Sequence, residues 1–121
     1  KPIFSPPNWV FGPVWTILYF LMGLAVYLIW TSKTKNQKLK QVGLKYFSIQ
    51  LGLNFLWSIL FFGLHSPILG MIDIIILWIL ILITMMKFHK ISKTASYLLI
   101  PYLLWVSFAT VLNLTIVVLN R

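Results

Sequence analysis

Hydrogen-bonding and aromatic side chains recur at helical spacing inside long apolar blocks, and they are the residues best placed to do chemistry. Gln50, Asn54 and Ser58 follow one another at intervals of four residues, which places them along one side of a helix. Trp57 and Phe61 lie on or beside that stripe. Amide and hydroxyl groups meet the polar edges of a ligand, and aromatic rings stack on a flat apolar face. The stripe therefore predicts a binding site for a flat apolar molecule with polar edges.

The other three apolar blocks carry faces of the same kind. The matching positions are Trp15, Tyr19, Gly23 and Val26 in the first block, Asp73, Leu77 and Thr84 in the third, and Pro101, Trp105, Ala109, Leu112 and Asn113 in the last. With a rise of about 1.5 Å per residue, Asp73 and Ser58 each lie roughly 9 Å from the same end of their helices. Asn113 lies at a comparable depth. These side chains are therefore predicted to converge on a pocket in one half of a helix bundle.

A structural role competes with ligand binding at most of these positions. Asn, Gln and Ser on facing helices commonly form interhelical hydrogen bonds, each worth about 0.6 kcal/mol. Trp57 and Trp105 lie near mid-depth, where anchoring at the membrane surface does not account for them. Core packing and ligand stacking both stay open for these two indoles.

Asp73 is the only acidic residue in the chain. An unpaired carboxylate inside a bilayer is costly, so it is either protonated or paired with a hydrogen-bond donor. One interpretation is proton coupling or ligand anchoring. The other is a helix-end hydrogen bond to a neighbouring loop, and the sequence leaves both open.

The composition excludes most other classes of protein. Only 9% of the 121 residues are charged and 60% are hydrophobic, whereas a soluble domain carries about 25% charged residues. The net charge is +9, but the cations lie between the apolar blocks, which argues against a nucleic-acid-binding surface. With no cysteine and two histidines, the chain offers no Cys nucleophile and no credible metal site. We therefore expect an integral membrane protein with no obligatory cofactor and no assigned catalytic residue.

Four apolar blocks are long enough to cross a bilayer as helices, which takes about 17–25 residues each. They run over residues 9–30, 44–64, 68–86 and 97–119. The predicted fold class is therefore an all-α integral membrane protein, a single transmembrane helix bundle over residues 1–121. Ser66 is predicted to cap the third helix, with Pro67 in its first turn. Pro101 is predicted to bend the fourth helix.

The positive charges predict the orientation of the bundle. Eight of the ten cations lie in or beside the first and third connections, and none lies in the second. They are Lys33, Lys35, Lys38, Lys40, Lys45, Lys87, Lys90 and Lys93. The positive-inside rule places the first and third connections in the cytoplasm and both termini outside. The pocket then lies in the outer half of the bundle, covered by residues 1–7, and the membrane is expected to be a bacterial cytoplasmic membrane.

Motifs along the whole chain resemble those of one family of membrane proteins. They are Lys1-Pro2, Pro6-Pro7, Trp9-Val10-Phe11-Gly12-Pro13-Val14-Trp15, Leu18-Tyr19, Gln50-Leu51, Leu53-Asn54, Trp57, Phe61-Phe62-Gly63, Asp73, Pro101-Tyr102, Trp105, Phe108-Ala109-Thr110 and Leu112-Asn113. With these motifs the sequence resembles the tryptophan-rich sensory protein/translocator protein family (TspO, the peripheral-type benzodiazepine receptor). Members of that family have five transmembrane helices. The chain resembles helices two to five, so it is expected to be incomplete at its N-terminus.

The resemblance implies a membrane receptor or carrier for tetrapyrroles such as haem and protoporphyrin, acting as a sensor or regulator of porphyrin level or transport. It implies ligand contacts at Trp15, Tyr19, Asn54, Trp57, Ser58, Phe61, Trp105, Ala109 and Leu112. Asp73 joins this set because of its depth. Lys1 is an expected partner for a porphyrin propionate.

The resemblance also implies a homodimer, embedded in membrane lipid. Leu114 and Val118 stand where the family's cholesterol motif has Tyr and Arg, which argues against sterol binding through that motif, itself a weak pattern. The alternative function is an enzyme that promotes photo-oxidative breakdown of porphyrin, with tryptophan radicals taking part. No acid–base pair or metal site supports that alternative in the sequence.

Overall fold

The computed structural model describes residues 8–119, with side chains from Gly12 onward. Its helices are α1 Asn8–Trp30, α2 Gln37–Ser58, α3 Pro67–His89, α4 Lys93–Leu98 and α5 Ile100–Leu119, and a π-helical turn, Ile59–Gly63, continues α2. No strand occurs in this range. Four helical segments, with α4 and α5 taken together as one, are long and apolar enough to cross a membrane. This confirms the predicted all-α membrane bundle.

Two helix starts follow from side-chain caps. The second helix begins earlier than its predicted apolar span, because the Asn36 side chain accepts a hydrogen bond from the Leu39 backbone N–H at 3.0 Å. Lysines in these first turns are compatible with a helix that extends beyond the hydrocarbon. The third helix begins as predicted: Ser66 Oγ accepts from the Leu69 N–H at 3.3 Å, and Pro67 lies in the first turn.

The fourth predicted span starts earlier than residue 97 and is interrupted. α4 ends at Leu98 and α5 begins at Ile100, with Leu99 between them. Pro101 has no N–H to donate to the preceding turn. Two residues before the proline, the Leu99 N–H donates to the Ser96 carbonyl, three residues back, at 3.0 Å. The disruption predicted for Pro101 is therefore found as a break just before the proline.

The helix α3 lies at the centre of the bundle and packs against α2, α4 and α5. The first and third connections and their eight lysines share one end of the bundle, here called the lysine end. The second connection, residues 64–66, lies at the opposite end. α1 packs mainly on α4, which lies at the lysine end, and only sparsely on α2 and α5. α1 is therefore held more firmly at the lysine end than at the opposite end.

The buried helix faces correct two of the predicted stripes. The buried positions are Leu18, Met22, Ala25 and Ile29 on α1 and Tyr102, Val106, Ala109, Leu112 and Asn113 on α5. Tyr19, Gly23 and Pro101 are exposed instead. A strict spacing of four residues drifts by about 40° per step around a helix of 3.6 residues per turn, so alternating steps of three and four residues define the buried face. On α3, Asp73 and Thr84 are buried as predicted.

Candidate ligand-binding site

A small cavity lies between α1, α2 and α5, in the half of the bundle nearer the opposite end. Its volume is about 40 Å³. It is lined by Trp15, Trp57, Ser58, Phe62, Trp105, Phe108, Ala109 and Leu112. Six of these side chains are among the predicted contacts, whereas Phe62 and Phe108 are not. The fold thus brings predicted residues from three helices to one place.

A second void of about 10 Å³ adjoins the cavity. It shares Trp15, Trp57, Trp105 and Ala109 with the cavity and is completed by Asn54, Ile74, Leu77 and Val106. A buried water molecule needs about 10–15 Å³ of such space. The two voids together therefore have room for a few waters or one small chemical group.

Aromatic contacts hold the walls of the cavity in place. Trp15 stacks on Tyr19 with 5.4 Å between ring centroids, and it meets Trp105 edge-on at 6.2 Å. Trp57 stacks on Phe61 at 4.9 Å. Offset stacks and edge-to-face pairs are the favoured aromatic geometries. Tyr19 and Phe61 line neither void, so they support the walls from behind instead of forming them.

The π-helical turn shapes the α2 side of the cavity. The Leu64 N–H donates to the Ile59 carbonyl, five residues back, at 2.8 Å. Such turns add a residue to a helix and are frequent at functional sites. Here the turn places two consecutive residues, Phe61 and Phe62, against the same Trp57 indole, with centroid distances of 4.9 and 5.7 Å. A regular α-helix would direct neighbouring side chains about 100° apart.

A chain of hydrogen bonds runs beside the smaller void. The Tyr19 hydroxyl donates to Asn54 Oδ1 at 3.4 Å, and Asn54 Nδ2 donates to the Tyr102 hydroxyl at 2.8 Å. Tyr102 in turn donates to Gln50 Oε1 at 2.6 Å. Gln50 Nε2 has no partner among residues 8–119. The polar residues of α2 therefore act as interhelical ties, and Asn54 combines that role with a place in the void wall.

A second tie fixes the Trp57 indole. Its Nε1–H donates to Asn113 Oδ1 at 3.0 Å, and Asn113 Nδ2 donates to the Pro67 carbonyl at 2.8 Å. Asn113 thereby joins α2, α5 and the first turn of α3. These two bonds are buried or partly buried. They give the Trp57 indole N–H, the Asn113 Oδ1 acceptor and the Asn113 Nδ2 donor a partner, as buried polar groups require.

Asp73 is 5% exposed, and neither of its carboxylate oxygens has a hydrogen-bond partner among the described residues. Within that range, the helix-end hydrogen bond to a loop does not occur. Asp73 lines neither void, but it directly precedes Ile74 and lies one turn before Leu77, which both line the smaller one.

Tyr102 in the hydrogen-bond chain was not predicted as a ligand contact, and neither were five residues that line the two voids: Phe62, Ile74, Leu77, Val106 and Phe108. Tyr102 is four residues before Val106 and seven before Ala109, a spacing that would have identified it as a member of the buried face. Phe62 stands in the family motif Phe61-Phe62-Gly63, but helical spacing did not place it at the site, because a π-helical turn changes the register of the side chains. The predicted roles of Lys1 and of residues 1–7 fall outside the described residues.

An apolar groove adjoins the cavity on the surface of the bundle between α1 and α5. Its volume is about 400 Å³. It is lined by Val14, Ile17, Leu18, Pro101, Leu104, Trp105 and Phe108. Trp105 and Phe108 line both the groove and the cavity. These two side chains therefore form the partition between a surface that faces lipid and the interior of the bundle.

Comparison with known proteins identifies the family. The profile of the TspO/MBR family matches residues 1–119. The chain is 52% identical over 120 residues to "Tryptophan-rich protein TspO" of Archaeoglobus fulgidus, covering 99% of this chain and 76% of that protein. It is 35% identical to "Tryptophan-rich sensory protein" of Cereibacter sphaeroides over 99% of this chain and 73% of that protein. It is 36% identical to the human "Translocator protein" over 93% of this chain and 67% of that protein. A family match of this extent, on a bundle of membrane-spanning helices, establishes that the chain belongs to the TspO/MBR family.

Proposed function

We propose that the protein is a membrane receptor or carrier that binds tetrapyrroles and thereby senses or adjusts their level or transport. The relatives named as a sensory protein and a translocator protein support a receptor or sensor role. The observation that carries the ligand class is the convergence of three indoles, those of Trp15, Trp57 and Trp105, around one cavity. Indole rings stack on a broad π-face such as a porphyrin.

The bundle must open for such a ligand. Pockets for drug-sized molecules measure about 300–1,000 Å³, whereas the cavity measures about 40 Å³. The adjoining groove measures about 400 Å³ and is separated from the cavity by Trp105 and Phe108. Sparse packing of α1 on α2 and α5 makes the α1 side the wall that moves most easily. We infer that rotation of these two side chains, with a shift of α1, joins the groove to the cavity.

The polar groups at the cavity suit the edge of the macrocycle. The Ser58 hydroxyl lines the cavity, and Asn54 lines the adjoining void. Both lie nearer the opposite end than the lysine end. With the lysine end in the cytoplasm, as the positive-inside rule requires, the site lies in the outer half of the membrane. Porphyrin carboxylates would then face the outer aqueous surface. We further propose that the protein lies in a bacterial cytoplasmic membrane and forms a homodimer.

A titration of the purified protein with protoporphyrin tests this function. The signal is the absorbance and fluorescence anisotropy of the porphyrin, because substitutions of Trp alter protein fluorescence by themselves. Trp105→Ala removes a stacking surface worth about 1–3 kcal/mol, so the affinity is expected to fall roughly five-fold or more. Ser58→Leu is expected to weaken binding as well, because the larger side chain fills the cavity.

Matched controls separate the site from general effects on the bundle. Trp30 is exposed at the lysine end, so Trp30→Ala should leave the affinity unchanged. Ser48 is an exposed serine on the same helix as Ser58, and Ser48→Leu should also bind as the unmodified protein does. Equal affinity in all five proteins would overturn the assignment of the cavity as the porphyrin site.

A second candidate function is light-driven oxidation of the bound porphyrin by dioxygen. Trp15 contacts both Tyr19 and Trp105, at 5.4 and 6.2 Å between ring centroids, so three oxidisable rings adjoin one another beside the cavity. Illumination in air should then convert the porphyrin spectrum to that of an open-chain pigment. Trp105→Phe keeps a stacking ring and should slow this conversion without loss of binding. An identical rate in that variant would argue against the enzymatic function.

A further inference from the structure

The Asp73 carboxylate is buried without a hydrogen-bond partner among the described residues. The residue is 5% exposed, and both carboxylate oxygens lack a hydrogen-bond partner among residues 8–119. A buried anion without a partner is strongly unfavourable, and more so at membrane depth. Asp73 lies six residues into α3, counted from Pro67, which is roughly 9 Å along the helix axis. The charge has no partner in this part of the chain, so Asp73 either holds a proton or is neutralised by a group from outside residues 8–119.

The described residues offer no cation for this purpose. All eight described lysines lie at the lysine end, in or beside the first and third connections. Asp73 lies near the opposite end, and the nearest lysine on its own helix, Lys87, is 14 residues or about four helical turns away. One of the eight, Lys40, is already engaged, because its Nζ donates to the Trp30 and Ser32 carbonyls at 2.9 and 3.2 Å. Within residues 8–119, therefore, no lysine neutralises Asp73, and His65 of the second connection does not hydrogen-bond to it.

The neighbourhood of Asp73 favours a positive charge. The void lined by Ile74 and Leu77, the neighbours of Asp73 along α3, is also lined by three indoles, those of Trp15, Trp57 and Trp105. An aromatic face attracts a cation, with Trp the most effective ring, and clusters of aromatic rings recognise ammonium groups. Asp73 lies one helical turn before Leu77, which lines this indole-walled void, and a carboxylate at that position is suited to an ammonium ion, whose donors would satisfy the free oxygens.

The available volumes define the rest of the ligand. The two voids measure about 40 and 10 Å³, enough for a small ammonium head and not for a bulky one. The groove of about 400 Å³ beyond Trp105 and Phe108 is lined almost entirely by apolar side chains. It is suited to a hydrophobic body of drug-like size. The ammonium head would then lie in the voids and the apolar body in the groove, on either side of Trp105 and Phe108.

We propose that Asp73 forms, with the indoles of the cavity, a binding site for lipophilic ammonium compounds: a primary amine head pairs with the carboxylate, and an apolar body lies in the groove between α1 and α5. This proposal goes beyond tetrapyrrole binding, because the ligand carries the opposite charge to a porphyrin. It does not depend on porphyrin binding being correct. The ion pair forms in a site from which water is excluded, so removing one partner leaves the other as an uncompensated buried charge.

The experiment compares two probes of the same shape. Naphthylethylamine and naphthylethanol differ in the head group, which is ammonium in one and a neutral hydroxyl in the other. Each is titrated by calorimetry into the protein in lipid nanodiscs, with empty nanodiscs as the blank for partition into lipid. Asp73→Asn keeps the shape of the side chain and removes its charge. It is expected to weaken binding of the amine roughly ten-fold or more, since a lone partner of a buried ion pair is left uncompensated.

The alcohol probe detects a loss of folding, because a misfolded variant would lose affinity for both probes. The affinity of the alcohol should fall much less than that of the amine in Asp73→Asn, because the amide oxygen of Asn can still accept a hydrogen bond from the hydroxyl. Asp73→Glu should recover part of the amine affinity. Equal binding of the amine by the unmodified protein and Asp73→Asn would overturn the proposal, and so would an equal loss of both probes. Protoporphyrin titrated into the same samples reports separately on the porphyrin site.

Discussion

Gly70 and Asn113 approach so closely that a side chain at position 70 would strike the Asn113 amide. A Cβ atom on Gly70 would lie 2.9 Å from Asn113 Oδ1 and 3.4 Å from the Trp57 Nε1 atom. The Asn113 side chain cannot move aside freely, because it holds hydrogen bonds to Trp57 and to the Pro67 carbonyl. The glycine thus lets α3 pack against the wall of the cavity.

Gly70→Ala is expected to destabilise the bundle by about 1–3 kcal/mol, the usual cost of overpacking. The added methyl group must displace the Asn113 amide and break its hydrogen bond to Trp57. Thermal unfolding in detergent, followed by circular dichroism, measures the effect. Gly52→Ala on α2 is the control, because a Cβ atom added at Gly52 would meet nothing within 4 Å. It should leave stability unchanged or raise it by about 0.5–1 kcal/mol.

Tyr102→Phe is expected to cost about 1–3 kcal/mol of stability. The Tyr102 hydroxyl accepts from Asn54 and donates to Gln50, so its removal leaves the Asn54 Nδ2 donor and the Gln50 Oε1 acceptor without these partners. Tyr27 is 60% exposed, and Tyr27→Phe should change stability by less than about 0.5 kcal/mol. Similar unfolding temperatures for the two variants would show that the hydrogen-bond chain contributes little.

Lys40→Gln is expected to loosen the junction between α1 and α2. The Lys40 ammonium donates to the carbonyls of Trp30 and Ser32 at the end of α1, where a positive charge also interacts favourably with the helix dipole. The loss should be about 0.5–2 kcal/mol. Hydrogen exchange of the last turn of α1 is the direct readout. Lys38→Gln, a neighbouring exposed lysine, should leave that exchange unchanged.

Much of the binding region can be predicted from residue types and helical spacing. The sequence positions of Trp15, Trp57 and Trp105 put them on facing helices, and all three line the cavity. Tyr102 escapes the prediction, because a spacing of four residues selects the exposed Pro101 in its place. Phe61 and Tyr19 are predicted as ligand contacts, and the fold places them behind the wall, against Trp57 and Trp15.

Hydropathy and charge along the chain are enough to define the class of the protein and the four membrane-length helical segments of residues 8–119. Both properties act over whole segments, so a bilayer-length apolar block with lysines at one end specifies a helix whatever surrounds it. The motifs further indicate the family, which the comparisons confirm. These properties depend on local composition and order alone.

Which polar groups find partners, in contrast, is a property of the packed bundle. Asn113 is joined to Trp57 across two helices, whereas Asp73 finds no partner among the described residues. Such pairings depend on the rotation and approach of helices far apart in sequence, where a shift of one residue turns a side chain by about 100°. The π-helical turn, the small volume of the cavity and the groove beside it follow from the same packing. The spacing of residues along a single helix does not predict them.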